Sequence, residues 1–148
     1  MAYKKGESKT YYPNARILLF GQGPIMTSLT TLAIESGFDV MCFDHHETYS
    51  HPIGDYCDQY TALVSLFHEH EYEIEILKSV LESELFYIGA LGSQRTQALR
   101  LKTLSESGVD SYLLDKIHGP VGLDIRAITP SQIAISILAE IIEVMNRA

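Results

Sequence analysis

The sequence predicts an α/β fold with a mainly parallel sheet and helices on its faces. Two observations carry that reading. Short apolar, β-rich runs alternate with longer segments of helical periodicity, and glycines stand at the junctions between them. The first strand, helix and second strand also complete a β-α-β unit of about 30 residues.

Taken in order, residues 1–14 form a polar lead, and a single domain spans 15–148. ARILLF (15–20) reads as a strand ending at Gly21. PIMTSLTTLAIESG (24–37) reads as a helix, with Pro24 in a tolerated first-turn position and Gly37 as the left-handed stop. FDVMCF (38–43) is the second strand, closed by Asp44, and residues 44–60 form a long polar connection. TALVSLF (61–67) is a third strand and residues 71–83 a helix with Ile74, Leu77, Val80 and Leu81 on one face. FYIG (86–89) is the fourth strand. Residues 93–108 form a helix with Ser93 as N-cap and Gly108 as terminator. SYLLDKI (111–117) reads as a short helical piece, and 118–130 as a Gly/Pro loop in which VGLDI offers a brief strand. The last helix, 131–145, starts from Ser131 as cap and is apolar around most of its circumference, so it must be deeply buried or covered by a second subunit.

A chain of 148 residues suits one domain, which buries roughly 70% of its unfolded surface. Hydrophobic residues at 46% and charged residues at 20% are globular values, far from the signature of disorder. The net charge of −8, with scattered Lys and Arg, argues against nucleic-acid binding and requires any anionic ligand to have a local site. Cys42 and Cys57 make no CxxC pair, which points to a reducing compartment. No apolar stretch approaches the roughly 18 residues of a membrane span, and the start lacks a signal-peptide core, so a cytoplasmic protein without membrane contact is expected.

In a parallel sheet every strand-to-helix turn emerges at the carboxyl edge, where ligands bind. That edge should gather Gly21, Gly23, Asp44, the stretch from His68 to His70, the GALGSQR turn (89–95) and HGPVGLD (118–124). In FYIGALGSQRT (86–96), Gly89 and Gly92 let the backbone approach a ligand, the helix start offers unpaired N–H groups, and Arg95 adds a cation. Together they form a candidate anion site; the competing reading is a tight connection with Arg95 paired to a carboxylate. GQGPIM (21–26) supplies the first two glycines of a dinucleotide fingerprint, but Met26 fills the small-residue position and Pro24 removes an N–H. Asp44 stands about 20 residues on, where an acid binds ribose hydroxyls. His45, His46, His51, His68 and His70 lack ligand spacing and read as solvated, so no metal is expected. His118 and Asp124 could serve as acid and base or tie their loop by hydrogen bonds.

The segments FYIGALGSQRT, IHGPVGLDI and TPSQIAISILAEI resemble the carboxyl-terminal, Rossmann-like domain of the XdhC/CoxI family, maturation factors for xanthine and carbon monoxide dehydrogenases. The likeness runs from about Ile17 to Ile142. Gly89, Gly92, Ser93, Arg95, Thr96, His118, Pro120, Gly122, Leu123, Asp124, Thr129 and Pro130 match the family pattern, whereas Arg126 stands where glycine is usual. The resemblance implies a Rossmann-like three-layer sandwich that supplies molybdenum cofactor to a molybdenum hydroxylase apoenzyme. On that reading the chain is a chaperone more than a catalyst, and Ser93, Thr96 and Gly122 join the cofactor-binding set. Full-length members carry a further amino-terminal domain with a cysteine motif, for which this chain has no room, so a stand-alone relative is expected, homodimeric through its last helix. The alternatives are an NAD(P)-dependent oxidoreductase with His118 as proton donor, and a regulatory subunit with a vestigial nucleotide site.

Overall fold

A computed structural model describes residues 14–44, 53–68 and 70–147. The expected polar lead, apart from Asn14, and His45, His46 and His51 lie outside those residues. Five strands form one sheet, all parallel, in the order β2-β1-β3-β4-β5. They are β1 (Arg16–Gly21), β2 (Asp39–Phe43), β3 (Thr61–Leu66), β4 (Tyr87–Ala90) and β5 (Ile117–His118). The helices are α1 (Pro24–Glu35), α2 (His70–Val80), α3 (Gln94–Glu106), α4 (Ser111–Leu114) and α5 (Pro130–Met145), with a 3₁₀ turn at Ile53–Tyr56.

Alternation along the strands explains the three layers. Ile17, Leu19, Ala62, Val64 and Tyr87 meet Met26, Leu29 and Ala33 of α1 and Ala134, Ile137 and Ile141 of α5. Leu18, Phe20, Leu63 and Ile88 meet Ile76, Leu77, Leu104 and Leu113 on the opposite face. Because both faces are covered, β1 and β3 are apolar almost without interruption. Successive elements leave β1 in opposite directions, so the strand order reverses between β1 and β3, where α/β sheets open a crevice at their carboxyl ends.

Three local expectations are corrected. Ile117 does not end a helix: it pairs with Ile88, and His118 with Gly89, so two residues of sheet edge override the helical pattern of SYLLDKI. VGLDI forms no strand. The last helix begins at Pro130, and its cap is Thr129 rather than Ser131: Thr129 Oγ1 accepts from the Gln132 N–H at 3.2 Å, and the Gln132 side chain accepts from the Thr129 N–H at 3.3 Å. The buried face of this helix, including Ile141, packs inside its own chain against α1. A second subunit is therefore not needed to cover it.

Candidate functional site

Among the described residues, two clefts lie at the carboxyl edge. The first, about 550 Å³, lies at the end of β1 and brings Gly21 and Gly23 together with Asp44, Cys42, Met26 and three threonines of α1. Gly21 has φ +133°, and a Cβ there would come within 2.9 Å of the Leu66 backbone, so the turn leaves β1 hard against β3. Gly23 is the N-cap of α1, with φ 109° and no side chain to cap the helix start. Met26 is buried in the core yet still borders this cleft, narrowing the approach that a small residue would leave open. Thr27 and Thr31 spend their hydroxyls on carbonyls one turn back, and Thr30 does the same at 2.7 Å.

The second cleft, about 450 Å³, gathers Gly92 from the β4–α3 turn with Gly122, Asp124 and Arg126 from the segment after β5, and is closed by Ile133 and Ser136 of α5. Arg126 has φ 59°, the left-handed region where glycine is unstrained, which explains why the related pattern has glycine there. Gly92 has φ 142°, and a Cβ on it would meet Thr96 at 2.8 Å. Thr96 thus packs over the turn, while its N–H donates to the Ser93 N-cap hydroxyl at 3.1 Å. Arg95, exposed in the first turn of α3, forms no ion pair among the described residues, so the carboxylate pairing of the competing reading is not seen. No acidic residue occupies the first turn of α1, α3 or α5, whereas α2 has Glu71 and Glu73 there. In a chain of net charge −8, these three first turns carry no carboxylate of their own to oppose an anion, although Asp44 and Asp124 border the clefts beside the starts of α1 and α3.

The sequence-selected residues thus fall into two groups. Gly21, Gly23 and Asp44 share one cleft; Gly92, Gly122 and Asp124 share the other; Ser93, Arg95 and Thr96 form the α3 start beside the latter. Gly89 is buried, and a Cβ on it would sit 2.5 Å from Val121 Cγ2 and 2.8 Å from the Tyr87 ring, so close packing demands this glycine. His68 and His70 do not converge on other ligating groups: His70 Nε2 bonds Thr103 Oγ1 at 3.1 Å, and no cluster of three or more His, Cys, Asp or Glu exists among the described residues.

His118 is half-buried and has partners. Its ring stacks on Tyr87 at 4.5 Å between centroids, and its Nδ1 lies 3.7 Å from Glu140 Oε1. The same carboxylate oxygen accepts from the Tyr87 hydroxyl at 2.5 Å and from the Gly122 N–H at 3.1 Å. Burial pushes the His118 imidazole below the usual histidine range, with the Glu140 charge opposing. Burial and then Glu140 push the Tyr87 phenol well above its ordinary value, so it remains a hydrogen-bond donor. Sequence reasoning selected neither Tyr87 nor Glu140.

A third cleft, about 870 Å³, lies at the opposite, amino edge between Phe38, Tyr60, Phe86 and the end of α5. It is the largest of the three but offers no helix start and no arginine. Charge and exposed backbone donors therefore favour the carboxyl edge for an anion despite the smaller volumes.

The parallel sheet, its layer order and the glycine turns at its carboxyl edge define a Rossmann-like α/β domain. Residues 17–141 match the family described as the XdhC Rossmann domain, and the chain belongs to that family. Among curated proteins it is 32% identical to a molybdenum cofactor insertion chaperone, PaoD, of Escherichia coli (strain K12), over 90% of this chain and 41% of that protein. It is also 32% identical to a protein of Bacillus subtilis (strain 168) named as a probable xanthine dehydrogenase subunit, over 91% of this chain and 44% of that protein. A crystal structure described as a xanthine dehydrogenase from Bacillus halodurans superimposes with a TM-score of 0.75 at 28% identity, over 93% of this chain and 45% of that one. The chain thus spans less than half the length of these relatives. No helix among the described residues is long and apolar enough to cross a membrane.

Proposed function

We propose that this chain is an accessory factor for maturation of a molybdenum hydroxylase of the xanthine or CO dehydrogenase type, and that it binds a phosphate-bearing cofactor, molybdopterin, at the carboxyl edge of its sheet. The relatives' names support the maturation role. The observation that carries the cofactor site is Arg95, an exposed cation without an ion pair among the described residues, at the start of α3 beside the Gly92 turn. A phosphate there would meet backbone N–H groups, the positive end of a helix and a guanidinium that can donate two parallel hydrogen bonds. Gly122 and Asp124 border the adjoining cleft, where a pterin ring carries donors and acceptors for such groups. Catalysis is no part of this reading, which is one of binding, protection and delivery to an apoenzyme.

The test is reconstitution. The purified chain is mixed with molybdenum cofactor released from a molybdoenzyme and desalted, and retained pterin is then measured by fluorescence after oxidation. About one pterin per chain is expected, with marked loss in Arg95→Ala; no retained pterin would refute the site. A second reading, a nucleotide such as NAD(P) in the β1 cleft, is favoured by the shared location of Gly21, Gly23 and Asp44. Calorimetric titration with NAD and NADP decides it. A homodimer remains part of the proposal, now through exposed Ile135 of α5 and Ile34 of α1 rather than through the buried face of α5.

A further inference from the structure

Beneath the β4–α3 turn, the layer between the sheet and helices α2 and α3 contains a polar cluster that the proposed ligand contacts do not use. Ser65, Glu73, Gln97 and Arg100 are all buried, Arg100 to 1% exposure. The Arg100 guanidinium donates in three directions: Nε to Glu73 Oε1, Nη1 to Gln97 Oε1, and Nη2 to the Leu91 carbonyl at 2.6 Å. Ser65 Oγ donates to the second oxygen of Glu73 at 2.6 Å, and the Ser65 carbonyl accepts the Leu91 N–H at 2.9 Å. Leu91 is therefore held at both its N–H and its carbonyl, one residue before Gly92. Gln97 reaches the other wall of the cleft: a Cβ on Gly119 would lie 2.0 Å from Gln97 Oε1, so the amide is seated against that backbone just before the segment that lines the cleft.

A buried ion pair is a poor way to gain stability, because well-packed apolar residues of similar volume often serve as well or better. What the guanidinium supplies is a rigid fork of fixed directions. We propose that Arg100, oriented by Glu73 and acting through Gln97, is a positioning residue that fixes the two walls of the carboxyl-edge cleft, the β4–α3 turn and the segment from Gly119 to Gly122, relative to each other. That fixed spacing is what a phosphate-bearing ligand needs. The ligand clause rests on the function proposed above; the wall-fixing clause does not.

Amide hydrogen exchange tests the second clause without any ligand, and titration with inorganic pyrophosphate tests the first. The variants are Arg100→Lys, which keeps the charge but cannot span all three acceptors, and the double variant Glu73→Leu/Arg100→Met, which removes both charges. In each folded variant, exchange at Leu91, Val121 and Gly122 should quicken at least about ten-fold while Leu19 in β1 stays protected. Pyrophosphate affinity should fall by about the same factor. Wild-type exchange at those three amides in both variants would overturn the positioning role; if the double variant does not fold, Arg100→Lys decides it alone. Loosened walls with undiminished pyrophosphate affinity would overturn the link to the ligand. Loosened walls in a protein whose wild type binds no pyrophosphate would leave the positioning role standing and remove the proposed anion site instead.

Discussion

Replacing Gly21 with alanine probes the point where the first cleft meets the switch in strand order. The substitution forces a Cβ into a backbone at φ +133° and drives it to 2.9 Å from the carbonyl carbon and oxygen of Leu66, which belong to a central strand and cannot swing aside. The unfavourable dihedral costs about 1–3 kcal/mol, and crowding of a packed interior adds about 1–3 kcal/mol. Gly23→Ala is the control, because its φ is +109° but nothing lies within 4 Å of the added methyl. Urea unfolding monitored by circular dichroism measures both. With a slope of about 2 kcal/mol per molar, the close approach alone should lower the Gly21→Ala midpoint by about 0.5–1.5 M relative to Gly23→Ala. Equal midpoints for the two variants would show that β1 and β3 do not meet as tightly as described, and the geometry of the cleft floor would have to be redrawn.

Tyr87→Phe removes the hydroxyl that donates to Glu140 and should destabilise the fold by about 1.5–3 kcal/mol, a range set by hydrogen bonds to charged groups; urea midpoints check it, and a loss under about 0.5 kcal/mol, the low end for any hydrogen bond, would refute the bond. His118 is held below its usual pKa by burial, so the native state binds protons less readily than the unfolded chain. Its contribution is present above about pH 6.5 and declines as the pH falls toward the folded value. The difference in thermal midpoint between wild type and His118→Gln should therefore shift against the wild type on acidification, and a constant difference from about pH 5 to 8, the range in which histidine titrates, would contradict this. Ile135→Glu should leave folding intact and dissociate a dimer in light scattering, whereas Ile141→Glu should unfold the chain, because Ile141 is fully buried; a monomeric wild type would remove the dimer.

Most of the architecture was legible in the sequence because its periodicities are unmixed. The run RILLFG is short, apolar and closed by a glycine, which favours a strand covered on both faces, and the glycines at 21, 37 and 108 fall where positive φ is needed. Strand β5 was not legible, since two residues carry no period and are held only by pairing with Ile88 and Gly89. The carboxyl-edge turns were readable for the same reason as the strands, since all-parallel topology sends them to one edge. Their division into two clefts was not, because it depends on how the segment after β5 folds over Gln97 and Ser136. Glu140 escaped notice because its partner Tyr87 lies 53 residues away and nothing in an amphipathic helix marks one glutamate as half-buried and bonded to the sheet. Glu73 and Arg100 were similarly disguised among surface charges of α2 and α3. One signal was available: Ser65 interrupts the otherwise apolar run ALVSLF, and a hydroxyl buried in a central strand requires a partner.

Backbone amide shifts recorded by NMR during titration with inorganic pyrophosphate test the central claim most directly. The account predicts saturable shifts at Gly92, Ser93, Thr96 and Gly122, lost in Arg95→Ala, with the amino-edge residues Gly37 and Asn146 unmoved. Shifts confined to the amino edge, or a response that survives intact without the Arg95 guanidinium, would contradict it.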